Sequence, residues 1–440
     1  MKLRTILKLA TAVAIALPAF AGAADAKTQV QWWHAMGGRL GELLDEQVAK
    51  FNSSQDEYEV VATNKGNYSE TLNAGIAAFR AGEQPHILQV FEVGTATMMA
   101  AKGAIKPVYE VFGEAGETFD PSVYLAAVAG YYTDPEGNML SLPYNSSTPV
   151  LYINKDALKA AGIDPETKPR TWSEMKELIA KIKASGSTCP ITTAWQSWVH
   201  LESMSAYHNV PFATQANGFG GFNTELTFNS DLQVKHVGML AEWAKDGSFQ
   251  YAGRRNEGGA RFRAGECAFY TESSAGYAGV KKEAEFPFAI SNLPYWDDVE
   301  GAPFNTIIGG ASLWVMAGHE SEEYKGVAKF LSFLSSPEIQ AKWHQDTGYL
   351  PITNAAYELT KEQGFYNENP GTDIAIIQMT GKEPTENSKG VRLGNYDQIR
   401  TIIDEELEAV WQGQKEPKAA LDTAVERGNE LLRRFEQSVR

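Results

Sequence analysis

Residues 142–154, which read LPYNSSTPVLYIN, are the stretch that decides the fold. The run 149–153 is rich in β-branched and aromatic residues, which favours a strand, and it follows a predicted polar turn at 145–148. Strand–helix units precede and follow it, so this strand would cross from one α/β lobe to a second. The serines of the turn would then lie in a cleft between the lobes, where ligand sites are common. An ordinary turn before a strand fits the same residues.

Alternating strands and helices precede this stretch. Predicted strands are separated by apolar residues at helical spacing, and they cover 30–34, 58–63 and 87–91. This order predicts a parallel sheet with helices on its faces. Ligands of such sheets bind beyond the carboxyl ends of the strands, where Trp33, Tyr68 and Glu92 fall.

The first 26 residues are predicted to be a secretory signal peptide. Three basic residues precede an apolar run over 9–20, and both 21–23 and 24–26 fit a cleavage site of small residues. We therefore expect a periplasmic protein in an oxidising compartment. Cys189 and Cys267 each open a predicted strand, and both a disulfide and two buried free thiols remain open.

The charge and the motifs narrow the function classes. The net charge of −16 at pH 7 argues against a nucleic-acid partner. The sequence has no phosphate-binding loop of the GxxxxGK[ST] type, no HExxH, no GxSxG and no cluster with metal-ligand spacing. We therefore expect no cofactor, no metal and no enzymatic activity. A secreted hydrolase with a carboxylate pair stays open as an alternative.

Seven runs, in this order along the chain, resemble one family of proteins. The runs are WWHAM, KGNYSETLNAGIAAFRAG, QVFEVGTATMM, PYNSSTPVLYINKDAL, IIGGASLWVM, WHQDTGYLPIT and RLGNYDQIRTIIDEELEAVW. The family is the extracellular solute-binding proteins of ATP-binding-cassette importers, and the runs are most similar to its sn-glycerol-3-phosphate binders. The similarity extends from about residue 27 to the C-terminus, and the wider family includes the maltose binder.

The resemblance implies a two-lobed α/β fold of the type II periplasmic binding proteins, with a hinge and a ligand cleft between the lobes. Lobe one would comprise 27–141 and 305–349, and lobe two 142–304 and 350–440. The implied function is capture of sn-glycerol-3-phosphate, or of a glycerophosphodiester such as glycerophosphocholine, for delivery to membrane permease subunits. We expect a monomer.

The resemblance also implies the site. Residues that match the family's ligand contacts are Tyr68, Glu92, Ser147, Ser273, Gly310, Tyr349 and Arg400, and the aromatic wall would be Trp195 and Trp198. The ligand's chemistry suits them, since a guanidinium, hydroxyls and an amide can bind phosphate oxygens. Glu92 would instead accept hydrogen bonds from the glycerol hydroxyls.

Some positions depart from the family pattern. Glu272 precedes Ser273, Ala275 stands where we expect glycine, and Tyr396 and Asp397 precede Arg400. Acids that faced inward would each weaken phosphate binding by about 1 kcal/mol or more, so we expect Glu272 and Asp397 to face solvent.

Several alternatives stay open within the family. The tryptophans also allow a sugar or oligosaccharide binder. Arg392 is as available as Arg400 to serve as the cation. The preference between glycerol-3-phosphate and glycerophosphocholine would depend on the open face of the pocket near Trp195 and Trp198.

Overall fold

The computed structural model describes residues 27–440, and the predicted signal peptide lies outside this range. Alternation of buried and exposed side chains marks β1, whereas β3 to β6 are buried along their whole length. The strands of the described residues are β1 Thr28–His34, β2 Tyr58–Asn64, β3 Ile87–Phe91, β4 Leu142–Ser147, β5 Pro149–Asn154, β6 Ile191–Thr193, β7 Phe269–Ser273, β8 Phe288–Ser291 and β9 Gly309–Val315.

Helices cover the faces and ends of the sheets. In the first half of the chain they are α1 Gly38–Ser54, α2 Tyr68–Ala81, α3 Thr95–Ala100, α4 Val108–Ala115, α5 Ala126–Ala129, α6 Lys155–Ala160, α7 Trp172–Ala184, α8 Met204–Tyr207 and α9 Thr214–Asn217. The remaining helices are α10 Asp231–Asp246, α11 Gly258–Arg263, α12 Tyr277–Glu283, α13 Ser321–Leu334, α14 Pro337–Thr347, α15 Asn354–Glu362, α16 Phe365–Glu368, α17 Ile374–Thr380, α18 Tyr396–Trp411 and α19 Pro417–Val439. None of these helices is long and apolar enough to cross a membrane.

Local sequence signals explain where two of the helices begin. The Thr171 hydroxyl accepts a hydrogen bond from the Glu174 amide, and the Glu174 carboxylate accepts one from the Thr171 amide, which together form a capping box at the start of α7. Asn67 and Glu70 form the same arrangement at the start of α2. The second box fixes the backbone at Tyr68.

The strands form two sheets. The five-stranded sheet has the order β2-β1-β3-β9-β4, in which β1 runs parallel to β2 and β3, and β9 runs antiparallel to β3 and β4. The four-stranded sheet has the order β6-β7-β5-β8, and only β6 and β7 are parallel. The carboxyl ends of β3 and β4 meet the start of β9, and the carboxyl end of β7 meets the start of β5. These junctions are the places where ligand sites of α/β sheets lie.

The chain crosses between the sheets at Thr148. Its hydroxyl donates to the Ile307 carbonyl at 2.9 Å and can accept from the Thr306 hydroxyl at 2.6 Å, which ties two crossing segments together. A third crossing joins them where the Leu350 amide donates to the Ser146 carbonyl at 2.8 Å. The crossings therefore form one bonded hinge.

The prediction of a turn at 145–148, with the lobe boundary at 141/142, is wrong for this segment. Residues 142–147 form β4, which pairs with β9 in the first sheet, and only β5 belongs to the second. The Asn145 amide can be buried in this strand because it is hydrogen-bonded: it accepts from Gln89 Nε2 and donates to the Tyr68 hydroxyl, each at 2.8 Å. The rest of the lobe division stays a prediction.

The two cysteines form a disulfide. Cys189 and Cys267 precede the parallel neighbours β6 and β7, and they are bonded to each other. The sequence left open a disulfide or two buried free thiols, and the structure has the disulfide. The bond closes a loop of 78 residues, which restricts the unfolded chain.

Candidate functional site

A cavity of about 450 Å³ lies between the two sheets, at the strand junctions described above. All nine residues named from the sequence line it: Tyr68, Glu92, Ser147, Trp195, Trp198, Ser273, Gly310, Tyr349 and Arg400. The structure therefore brings them together, although their contact with a ligand stays a prediction. Trp33 does not line the cavity, and its ring instead lies 3.8 Å from Lys65 Nζ.

One end of the cavity is built on a buried cluster of Glu92, Arg400 and Glu202. Glu92 follows β3, Arg400 lies in α18, and Glu202 lies in a π-helical turn over Trp198–Ser203. Arg400 Nε and Nη2 donate to the two Glu202 oxygens at 2.9 and 2.7 Å, and Nη2 lies 2.8 Å from Glu92 Oε1. Burial raises the pKa of Glu92, and Arg400 opposes that shift. Two carboxylates share one guanidinium, so this end has an excess of negative charge.

The arrangement changes the expected role of Arg400. We predicted a guanidinium fork for phosphate, but its Nε and Nη2 edge is occupied by Glu202. Nη1 is the only guanidinium nitrogen of Arg400 that has no hydrogen bond to the protein within residues 27–440. Arg392, the alternative cation, is excluded from the cavity wall because its Nη1 donates to the Tyr131 and Thr133 carbonyls at 3.2 and 3.0 Å.

Hydroxyl groups and one glycine form the middle of the cavity. Ser147 ends β4 and Ser273 ends β7, so the two strand junctions present a serine each. The Tyr349 hydroxyl lies beside that of Tyr68. Gly310 has φ +90°, and a Cβ there would lie 1.9 Å from the Asn145 carbonyl oxygen. Only glycine allows this approach of β9 to β4.

The two tryptophans are held in the cavity wall by different contacts. Trp198 donates its indole N–H to the Ile308 carbonyl at 3.3 Å and packs on Gly309, where a Cβ would lie 2.3 Å from the ring. Trp195 has φ +46°, a strained conformation for a non-glycine residue. Its amide donates to the Arg255 carbonyl at 2.8 Å, which helps to hold it there.

The prediction that Glu272 faces solvent is wrong. Its side chain is 3% exposed and lines the cavity, because β7 is an inner strand of its sheet and Glu272 lies on the same side as Tyr270. Burial raises the pKa of Glu272 to about 7. Asp397 is half-buried, accepts a hydrogen bond from the Ser69 hydroxyl at 2.7 Å, and does not line the cavity.

Among the charged residues that sequence reasoning missed are Glu202, which supports Arg400, and Arg255, which lines the cavity. Glu202 follows Trp198 by four residues, a helical spacing that places both on one face, and this signal could have revealed it. Arg255 lines the cavity 6.0 Å from the Trp195 ring. It has no carboxylate partner within 4.0 Å in the described part of the chain, so it is a cation that a ligand can use.

A separate cluster of His86, His319 and Glu323 lies away from the cavity, and its ligand atoms lie within 4.8 Å of one another. Protein hydrogen bonds already use it: the Gln31 amide donates to His86 Nδ1 at 2.9 Å, so neutral His86 carries its proton on Nε2, facing Glu323. The two imidazoles stack with centroids 3.9 Å apart. The protein's own contacts therefore hold this cluster together.

The match to a family model agrees with this architecture. The model of the bacterial extracellular solute-binding proteins matches residues 46–372. The chain belongs to this family. Its members bind solutes, so this chain is a solute-binding protein.

Similar proteins cover nearly the whole chain. The sn-glycerol-3-phosphate-binding periplasmic protein UgpB of Escherichia coli K12 is 55% identical over 432 residues, which are 98% of each chain. The protein of the same name from Salmonella typhimurium is 55% identical over 430 residues, 97% of this chain and 98% of its own. The periplasmic location predicted from the sequence is confirmed by these relatives.

Solved structures confirm the two-lobed fold. UgpB of Mycobacterium tuberculosis in complex with glycerophosphocholine has a TM-score of 0.76 at 21% identity, covering 93% of this chain and 99% of that one. The maltose-bound MalE3 of T. maritima has a TM-score of 0.72 at 18% identity, covering 91% and 98%. At these identities the likeness concerns the fold alone.

Proposed function

We propose that this protein captures sn-glycerol-3-phosphate and its diesters in the periplasm and delivers them to the permease of an ATP-binding-cassette importer. The observation that carries the proposal is that all nine residues expected from the family line one cavity. Relatives named for sn-glycerol-3-phosphate binding, at 55% identity over nearly the whole chain, support it.

The charges suggest an orientation for the ligand. The cluster of Glu92, Arg400 and Glu202 has one carboxylate more than it has cations, so it repels phosphate but accepts hydrogen bonds from hydroxyl groups. Trp198, in the same π-helical turn as Glu202, offers apolar surface for the glycerol carbons at this end, and Trp195 lies next to Tyr68 and Arg255. Glycerol therefore belongs here.

The phosphate then belongs at the middle of the cavity. Ser147, Ser273, Tyr68 and Tyr349 supply hydroxyl donors there. Arg255 adds a cation whose Nη2 donates to the Ser69 hydroxyl at 3.4 Å and which has no carboxylate partner in residues 27–440. In this proposal Arg400 acts on the phosphate only through Nη1, and its main task is to hold Glu92 in place.

Binding requires no chemical step in this account. The lobes, divided at Thr148, close on the ligand, and the closed form docks as a monomer on the permease. Closure is driven by the ligand's higher affinity for the closed state. We propose that the protein is not an enzyme, so incubation with glycerophosphocholine should release neither choline nor glycerol-3-phosphate.

Isothermal titration of residues 27–440 tests the function directly. We expect binding of sn-glycerol-3-phosphate or glycerophosphocholine with a Kd of about 1 μM or tighter, and no binding of maltose. Binding of maltose alone, or of none of the three, would contradict the proposal.

Ser147 and Ser146 provide a matched pair of variants. Ser147 lines the cavity, whereas the buried Ser146 does not and its hydroxyl has no partner among the described residues. Ser147→Ala should weaken binding by about tenfold, the value of one hydrogen bond to a charged group. Ser146→Ala should leave the affinity unchanged, and equal losses in both would remove Ser147 from the site.

A further inference from the structure

Glu272 is a buried carboxyl group that the proposed function does not use. It is the penultimate residue of β7, directly before Ser273, and its side chain lines the cavity. It departs from the family pattern. A charged group so close to the expected phosphate position must affect which ligands the cavity accepts.

The hydrogen bonds around Glu272 fit an ionised carboxylate. The Tyr270 hydroxyl donates to Oε2, and the Ser273 amide donates to Oε1 at 2.6 Å. Both of these partners are hydrogen-bond donors. An ionised carboxylate can accept from both of them, whereas a protonated carboxylic acid is a weaker acceptor. Because the Ser273 amide already donates its hydrogen bond to Glu272, it is not available to phosphate.

Glu272 nevertheless has no cation as a partner. No lysine or arginine nitrogen lies within 4.0 Å of it in residues 27–440, and the nearby Arg263 donates to Glu283 at 2.6 Å. The other titratable groups that face it are Glu257 and three tyrosines of the surrounding strands and loops: Tyr152, Tyr270 and Tyr349. Burial without a cation raises the pKa of Glu272 to about 7. A buried carboxylate of this kind is costly until a positive charge compensates it.

The ligand can supply that charge. A phosphate monoester brings up to two negative charges beside Glu272 and is repelled. A diester of an amino alcohol brings one negative charge on phosphate and one positive charge on the ammonium group. With glycerol at Glu92 and phosphate at Ser147 and Ser273, the second alcohol extends towards Glu272.

We propose that Glu272 is a specificity-determining residue, which makes the cleft prefer glycerophosphodiesters with an ammonium group over uncharged diesters and over the monoester. This rests on the proposed function. The ammonium group pairs with the Glu272 carboxylate and lies against the Tyr270 ring, an arrangement that also allows a cation–π contact. Gly276 lies beside this position, and a Cβ there would come within 2.7 Å of Glu272 Cγ.

Isothermal titration with three ligands tests the proposal: glycerophosphoethanolamine, glycerophosphoglycerol and sn-glycerol-3-phosphate. At about pH 8 the wild type should bind the ethanolamine diester at least about tenfold more tightly than the glycerol diester, as a close charge pair implies. Glu272→Gln should reduce this ratio to about threefold or less and should strengthen binding of the monoester. Glu257→Gln, an exposed carboxylate nearby, serves as the control and should keep the wild-type ratio.

A pH series on the wild type tests the same claim without any variant. Preference for the ethanolamine diester should grow between about pH 5.5 and about pH 8, as Glu272 loses its proton. Two results would overturn the proposal while leaving the proposed function intact. One is an equal ratio of ethanolamine-diester to glycerol-diester affinity in wild type and Glu272→Gln, and the other is that wild type at about pH 8 binds the monoester more tightly than the ethanolamine diester. Failure to bind any of the three ligands would instead overturn the proposed function.

Discussion

The two ends of the cavity treat buried charge in opposite ways. At one end Glu92 and Glu202 share the guanidinium of Arg400. At the other end Glu272 is held only by the neutral donors Tyr270 and Ser273. The first end is complete without a ligand and can recognise hydroxyl groups through preorganised acceptors. The second end lacks a cation, so the free-energy cost of burying the Glu272 carboxylate depends on the charge of the ligand.

The largest expected effect comes from breaking the complete end. Arg400→Ala leaves Glu92 and Glu202, which are 6% and 1% exposed, without their cation, and it should lower the free energy of unfolding by about 3–5 kcal/mol. Chemical denaturation measures this loss. Ligand affinity should also fall at least about tenfold, because Glu92 is no longer held in place.

Arg254→Ala is the matched control for that variant. Arg254 also binds a glutamate through two nitrogens, but its pair with Glu408 is partly exposed and lies outside the cavity. We expect a loss of about 1 kcal/mol or less. If Arg400→Ala costs no more stability than Arg254→Ala, the two ends do not differ as described.

A smaller effect should appear at the incomplete end, with the opposite sign. Because the folded-state pKa of Glu272 is raised from 4.5 to about 7, its contribution to stability is present below about pH 4.5 and is lost as the pH rises through about 7. Glu272→Gln has no group that ionises at this position, so it does not lose stability as the pH rises. The Tyr270 hydroxyl can rotate to accept a hydrogen bond from the new amide. The variant should gain on the order of 2 kcal/mol relative to wild type between about pH 4.5 and about pH 8.

Denaturation curves at the two pH values give this difference. Glu257→Gln again provides a control, because an exposed carboxylate should show no such change. A stability difference between Glu272→Gln and wild type that does not depend on pH would mean that Glu272 is not buried without a cation in the folded protein.

The smallest effects should come from two glycines, one at each end. Gly309→Ala places a Cβ 2.3 Å from the Trp198 ring and should weaken all three phosphate esters alike, by a few-fold. Gly276→Ala displaces Glu272 instead and should lower only the preference for the ethanolamine diester. Titration of both variants measures this, with Gly113→Ala, which has open space around it, as the control. A general loss in Gly276→Ala would place the ligand elsewhere.

The sequence predicted the fold where the signals were local. The strands predicted at 30–34, 58–63, 87–91 and 149–153 correspond to β1, β2, β3 and β5, because short runs of apolar and β-branched residues mark a buried strand locally. The turn predicted at 145–148 is wrong, although serine and asparagine favour turns when only the local sequence is considered. Here hydrogen bonds from Gln89 and to Tyr68, both distant in sequence, satisfy Asn145 within a strand.

The members of the site were predictable from the family resemblance, but their partners were not. Arg400 and Glu202 are 198 residues apart, and no local pattern encodes their contact. Glu272 was expected to face solvent because an acid that faced inward would weaken phosphate binding. Its burial follows from the place of β7 inside its sheet, which depends on strand order and not on the residues beside it.

The most direct measurement is a crystal structure of the protein with glycerophosphoethanolamine. We predict glycerol hydroxyls on Glu92, the phosphate between Ser147 and Ser273, and the ammonium nitrogen within about 4 Å of a Glu272 oxygen. A ligand in the reverse orientation, with its ammonium group at Glu92 and Glu202, would contradict the account, since the end described as complete would then be the one that takes the cation.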